Sequence, residues 1–217
     1  MKTLFLVLFL AVSVVHLAAS FVSNKKLRTA TNGFILLFLL LYYIFAAEKK
    51  NGVLIAAVAT SLLGDVLLIP PGNGWFVSGG ISFILSHFCF IAVYVMAVNF
   101  SNVNIFLTVL AFLVYCALIF LVFRALKPTT PKKLYGAMIF YLFFNAAMNI
   151  FAFMLLVSRP CAATALTYVG AVSFFASDSL LFLTKFYKKP MWHDHFPVML
   201  TYIIAEFLIV QGIMMLG

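Results

Sequence analysis

A chain of 217 residues that is 66% hydrophobic and 9% charged, with a mean hydropathy of +1.19, is not a soluble globular domain. Its net charge of +9 invites a nucleic-acid reading, but the basic residues fall between apolar runs, where topology explains them better. The runs are about twenty residues long without alternation, which points to helices crossing a roughly 30 Å hydrocarbon layer and not to a β-barrel.

In chain order the runs are about 2–22, 31–47, 52–69, 76–98, 103–125, 133–157, 162–184 and 196–216. The expected fold is an all-α membrane protein, one transmembrane domain over residues 1–217 built as a polytopic bundle of about eight transmembrane helices. The first run, "MKTLFLVLFLAVSVVHLAAS", shares a basic start and small residues at Ala18 and Ser20 with cleaved signal peptides, but its apolar stretch is long enough to span. Connectors after runs one, five and seven carry Lys25, Lys26, Arg28, Arg124, Lys127, Lys132, Lys133, Lys185, Lys188 and Lys189; the other side has only Lys2, Lys49, Lys50 and Arg159. By the positive-inside rule the first set is cytoplasmic and both termini lie on the outer or lumenal side. A bacterial inner membrane and a eukaryotic endomembrane fit equally. Cys89, Cys116 and Cys161 are odd in number and show no paired spacing, so no chemistry is assigned to them.

The five carboxylates divide by position. Glu48 and Asp194 sit in connectors beside basic residues. Asp65, Asp178 and Glu206 fall inside runs three, seven and eight, where a charge costs a few kcal/mol or more and faces the protein interior. Runs three and seven are parallel, and both aspartates lie roughly 6–9 Å from the cytoplasmic helix ends at about 1.5 Å per residue. His87 in run four and Glu206 in run eight lie about 15 Å in from that side by the same arithmetic. The similar wording "GDVLL" at 64–68 and "SDSLL" at 177–181 suggests two pseudo-repeated four-helix halves, with a site between them.

Helical spacing adds lining candidates. Gly80, Phe83, His87 and Tyr94 share one face of run four, and Tyr141, Asn145 and Asn149 form a polar stripe on run six. Run seven aligns Gly170, Phe174, Ser177, Asp178, Leu181 and Lys185, and Tyr202 stands one turn from Glu206 on run eight. Asn and Ser in membrane helices commonly just bond a neighbouring helix, and Gly permits close packing. Two acids at matched depth have no such ordinary role. "WHDHF", residues 192–196, resembles a metal motif, but no third or fourth ligand converges on it; an interfacial loop anchored by Trp192 is expected, with no metal and no cofactor.

The motifs "SLLGDVLLI" followed by "GWFVSGGISFILSHFCFIAVY", and "GAVSFFASDSLLFLTKF" followed by "VMLTYIIAEFLIVQG", resemble the lysoplasmalogenase-like (YhhN) family of integral membrane proteins from Ser61 onward. The segment "FYLFFNAAMNIFA" is a weaker match. The resemblance implies hydrolysis of the vinyl ether bond of lysoplasmalogens to a fatty aldehyde and a glycerophospho-base, with Asp65 and Asp178 as the catalytic acids and His87, the run-four histidine, as the third catalytic residue. The family usually has Gln where this chain has Glu206. Expected substrate contacts are Phe83, Tyr141, Asn145, Phe174, Ser177, Tyr202, Glu206 and Lys185; Lys26 and Arg28 are further headgroup candidates, and Phe175 a groove candidate.

The residues suit that chemistry independently. Vinyl ether hydrolysis needs a proton donor for the alkenyl carbon and a base for the water that captures the resulting cation. Two neighbouring carboxyls in different environments can divide these tasks without metal or cofactor. The expected partners are a lysophospholipid and membrane lipid, with no nucleic acid. On residue chemistry alone a proton-coupled transporter, which also uses intramembrane acids and histidine, stands level with an enzyme. A non-catalytic lipid-binding protein is a third reading.

Overall fold

The computed structural model describes residues 1–186 and 195–217, and among these the chain is helical apart from short connectors. Eight helices follow in order: α1 (Lys2–Phe21), α2 (Lys25–Ala46), α3 (Gly52–Leu67), α4 (Asn73–Ala97), α5 (Ile105–Leu126), α6 (Tyr135–Ser158), α7 (Ala162–Phe186) and α8 (His195–Leu216). Seven are long and apolar enough to cross a membrane, which fits a multi-pass membrane protein; α3, with 16 residues, is the shorter apolar helix. Backbone polar groups have no water to bond in hydrocarbon, so helices that satisfy them internally are the expected solution.

Most boundaries shift by one to three residues from the sequence expectation, and two of the differences bear on the site. The second helix begins at Lys25, well before the apolar run, because the Asn24 side chain accepts the Leu27 N–H and caps it. Lys25, Lys26 and Arg28 are therefore helical and ride on its first turn. The third helix stops at Leu67, and a turn through Pro70, Pro71 and Gly72 follows. Gly72 has φ of 128°, a backbone region that favours glycine, and it leads directly into α4.

Packing between neighbours closes a ring in the order α1, α2, α3, α4, α6, α7, α8 and back to α1. The fifth helix stands outside this ring against α6 and α7. Only Tyr115 and Leu126 of α5 are buried, and Ile105, Phe106, Phe112 and Leu113 are among its exposed residues, as on a lipid-facing surface. Rings from several helices fill the middle: Phe174 contacts Phe83, His87, Phe90 and Tyr202 edge-on, with centroids 5.1 to 6.3 Å apart.

The α7–α8 hairpin is the tightest seam. A Cβ on Gly170 would lie 2.9 Å from both the Ala205 carbonyl oxygen and the Ile209 nitrogen, and one on Gly212 would lie 2.6 Å from the Ala163 carbonyl oxygen. Backbone cannot yield as a side-chain tip does, so these glycines set how closely the two helices approach. Gly170→Ala and Gly212→Ala are each expected to cost about 1–3 kcal/mol by overpacking and lower the melting temperature in detergent. Gly136→Ala, whose Cβ meets nothing within 4 Å, is the control and leaves it unchanged or higher.

Candidate active site

The ring encloses a cavity of about 480 Å³ at the end where α1, α3 and α7 finish and α2, α4 and α8 begin. This is the end that the positive-inside rule assigns to the cytoplasm. Asp65, Ser177, Asp178 and Tyr202 are among its polar residues; Leu68, Phe76, Phe83, Leu181, Val198 and Met199 give it apolar walls; Lys25, Arg28 and Lys185 stand at its rim. Both acids thus open into one space, although each is about 95% buried.

Each carboxyl is held by other helices. Asp178 Oδ2 accepts from the Tyr141 hydroxyl at 2.7 Å and from Asn145 Nδ2 at 2.5 Å. The Asn145 orientation is itself fixed, because its Oδ1 accepts from Asn149 Nδ2 at 2.9 Å, and Asn149 Oδ1 accepts from the Tyr115 hydroxyl at 2.9 Å. Every donor in this chain from α5 through α6 to α7 points toward Asp178. Asp65 Oδ2 accepts one bond, from the Tyr202 hydroxyl at 3.0 Å, while Asn32 Nδ2 donates to the Asp65 backbone oxygen at 2.9 Å and ties α2 to the site.

The contacts cross between hairpins. His87 of α4, the partner of α3, brings Nε2 to 3.7 Å from Asp178 Oδ2 on α7; Tyr202 of α8, the partner of α7, bonds Asp65 on α3. The residue before each acid also meets the partner helix: Gly64 leaves room for the Phe83 ring, and the Ser177 hydroxyl donates to the Val198 carbonyl oxygen at 2.9 Å.

The remaining sequence candidates divide into cavity and backing. Phe83, Ser177, Tyr202 and Lys185 line the cavity, with Lys185 Nζ 5.2 Å from the Phe76 ring centroid. Tyr141, Asn145 and His87 stand behind Asp178 and reach the cavity only through it. Phe174 has no exposed surface and packs among rings, Phe175 packs on Tyr115, and Tyr94 is buried apart from the cavity, so none of the three lines it. Of the headgroup candidates Arg28 lines the cavity and Lys26 does not. Trp192, His193, Asp194, Lys188 and Lys189 lie outside the described residues; His195 opens α8 and lines the cavity.

Glu206 is also fully buried and outside the cavity. It lies beside the Ser61 hydroxyl, yet neither carboxyl oxygen has a partner in hydrogen-bond geometry. When Ser86 donates to the Ala57 carbonyl oxygen at 2.9 Å, Ser61 is the donor in the 2.7 Å Ser61–Ser86 contact and has no proton left for Glu206. In that arrangement a bond between Glu206 and Ser61 needs a hydrogen on Glu206. The amide N–H of a glutamine at this position would supply the same donor.

Sequence reasoning passed over His16, Asn32 and Tyr115. His16 lines the cavity and its Nδ1 is 2.8 Å from Thr31 Oγ1. When Thr31 donates to the Leu27 carbonyl oxygen at 2.8 Å, His16 Nδ1 is the donor in this contact and Nε2 is the nitrogen left for the cavity.

The fold and site define a polytopic helical membrane protein with a buried acid pair in a one-ended cavity. The YhhN family model matches residues 27–213, and the chain belongs to the YhhN family. Searches of curated proteins and of solved structures returned no match. The matched region includes Asp65 and Asp178 and begins after His16 and Lys25.

Two outcomes check this geometry. With Cys89, Cys116 and Cys161 replaced by serine, single cysteines at Thr29 or Leu181 are expected to react with a water-soluble maleimide added from the side where α2 begins, whereas one at Asn149 stays unmodified. Glu206→Gln is expected to keep the melting temperature in detergent, while Glu206→Lys, which forces a charge into the same place, lowers it.

Proposed function

We propose that this protein is a lysoplasmalogenase-type hydrolase that cleaves the vinyl ether of a single-chain glycerophospholipid. The observation that carries the reading is the opening of Asp65 and Asp178, from two different helices, into one cavity with apolar walls. Membership of the YhhN family supports it.

We assign the roles by the number of donors. Asp178 receives two, both on Oδ2, which suits the ionised form; Asp65 receives one, which suits the carboxyl that carries the proton. Asp65 gives that proton to the alkenyl β carbon, and the electron pair of the double bond leaves an oxocarbenium ion that Asp178 stabilises. Water adds to the α carbon as Asp178 takes its proton, forming a hemiacetal. Asp178 then returns this proton to the glycerol oxygen as its bond to the α carbon breaks, and Asp65 takes the hydroxyl proton of the departing aldehyde. Both carboxyls are restored, one water is consumed, and His87, Tyr141 and Asn145 act by positioning Asp178.

The test is fatty-aldehyde release from 1-alkenyl lysophospholipid by detergent-purified protein. Wild type is expected to release aldehyde and to leave the 1-alkyl analogue intact. Asp65→Asn and Asp178→Asn, each folded and lipid-binding, are expected to fall by about 10²-fold or more. No release from folded wild type that binds the lipid would sink the assignment, and solute uptake into proteoliposomes under those conditions would favour a transporter.

A further inference from the structure

We propose that the rim of the cavity is a subsite for the phosphate of a single-chain glycerophospholipid, formed by Lys25 and Arg28 of α2 and Lys185 of α7. The identity of the lipid rests on the vinyl ether reading; the anion subsite stands on the geometry of the rim.

Basic residues at this end already serve topology, so the question is which of them do more. Lys26, Lys127, Lys132 and Lys133 satisfy the charge bias without lining the cavity, whereas Lys25, Arg28 and Lys185 line it. Topology requires charge on one side of the membrane and has no use for its direction. Among the described residues no carboxylate lies within ion-pair distance of Lys25 or Lys185, and the only acids lining the cavity are Asp65 and Asp178, deeper in the bundle. Lys185 is held over the Phe76 ring, which is itself fixed edge-on by Phe182 and Phe186. A cation held this way keeps its hydrogen-bonding capacity for an anion.

The spacing fits the ligand. Lys185 is seven residues beyond Asp178 on one helix face, about 10 Å along the axis, and Arg28 is one turn, about 6 Å, above Asn32, which is bonded to Asp65. In a 1-alkenyl lysophospholipid seven bonds separate the alkenyl β carbon from phosphorus, about 8 Å when extended at ~1.2 Å per bond. A phosphate at the rim thus puts the labile bond at the level of the two carboxyls. The same anchor explains how a small cavity selects one bond in a flexible lipid.

The experiment measures affinity of purified wild type and the Lys25→Gln/Lys185→Gln protein for three probes: a non-cleavable 1-O-alkyl lysophospholipid, the 1-O-alkylglycerol of the same chain, and inorganic phosphate as a competitor. Wild type is expected to bind the phospholipid about tenfold or more tightly than the alkylglycerol. The Gln protein loses this preference while keeping its affinity for alkylglycerol, and Lys25→Arg/Lys185→Arg retains it. Unchanged phospholipid affinity in the Gln protein, or equal loss for both lipids, would overturn the subsite. Displacement by inorganic phosphate at the lipid's own concentration would assign the rim to a free anion and overturn the lipid assignment. The alkyl ether is not cleaved, so the result is independent of turnover. A rim that binds phosphate in a protein that releases no aldehyde would refute the vinyl ether reading and leave the subsite standing.

Discussion

Keeping two carboxyls inside a membrane bundle is the constraint on which the rest of this structure depends. A charge in hydrocarbon costs several kcal/mol unless other groups replace water around it, and here those groups come from helices far apart in sequence. Asp178 on α7 draws on α6 directly and on α5 through Asn149 and Tyr115. The Asp65 carboxyl on α3 draws on α8, while α2 reaches the Asp65 backbone oxygen and fixes the helix that carries it. The ring order of the helices is therefore the order that lets donors reach two acids, and the glycines of the α7–α8 seam bring the backbones close enough for it. A uniform direction of donation has a further effect. Each bond polarises the next, so Tyr115, at the outer wall, still strengthens the donor that Asn145 presents to Asp178.

The crossed contacts give meaning to the short resemblance between "GDVLL" and "SDSLL". In each hairpin the first helix supplies the acid, and the second supplies a ring that reaches the acid of the other hairpin. The two crossings differ in strength, since Tyr202 bonds Asp65 at 3.0 Å whereas His87 stands 3.7 Å from Asp178 with neither ring nitrogen in hydrogen-bond geometry. The rest of the chain does not repeat in the same way: α1 packs on α2 and α8, whereas α5 packs on α6 and α7. The asymmetry leaves α1 and α2 to wall the cavity, and α5 to face lipid.

What could be read from sequence follows from where polarity is expensive. Asp65 and Asp178 stood out because a carboxylate within an apolar run has few ordinary explanations, and their shared depth followed from helix rise alone. Phe174 was placed on the right face but is packed among rings, because helical periodicity gives direction and not the distance to an empty space. Tyr115 was invisible because one tyrosine in an aromatic-rich run signals nothing until its partner on α6 is known. His16 and Asn32 were missed for a related reason. Their runs look generic, and their roles come from α1 and α2 lying against α8 and α3, which no local pattern encodes.

The short third helix ties the fold to the cavity. Sixteen residues rise about 24 Å, less than a hydrocarbon layer of roughly 30 Å, so α3 needs the segment that follows it to complete a crossing. Non-helical backbone at such depth is tolerated only where it is covered by protein or faces a polar cavity. The residues that follow α3 meet this condition, since Leu68, Ile69 and Pro71 all line the cavity. Extending α3 by about one turn would restore a full span in place of this cavity-lining turn. The same foreshortening sets Asp65 within about one turn of the mouth, shallow enough for a lipid whose polar end stays at the interface and deep enough for the carboxyl to be removed from bulk water.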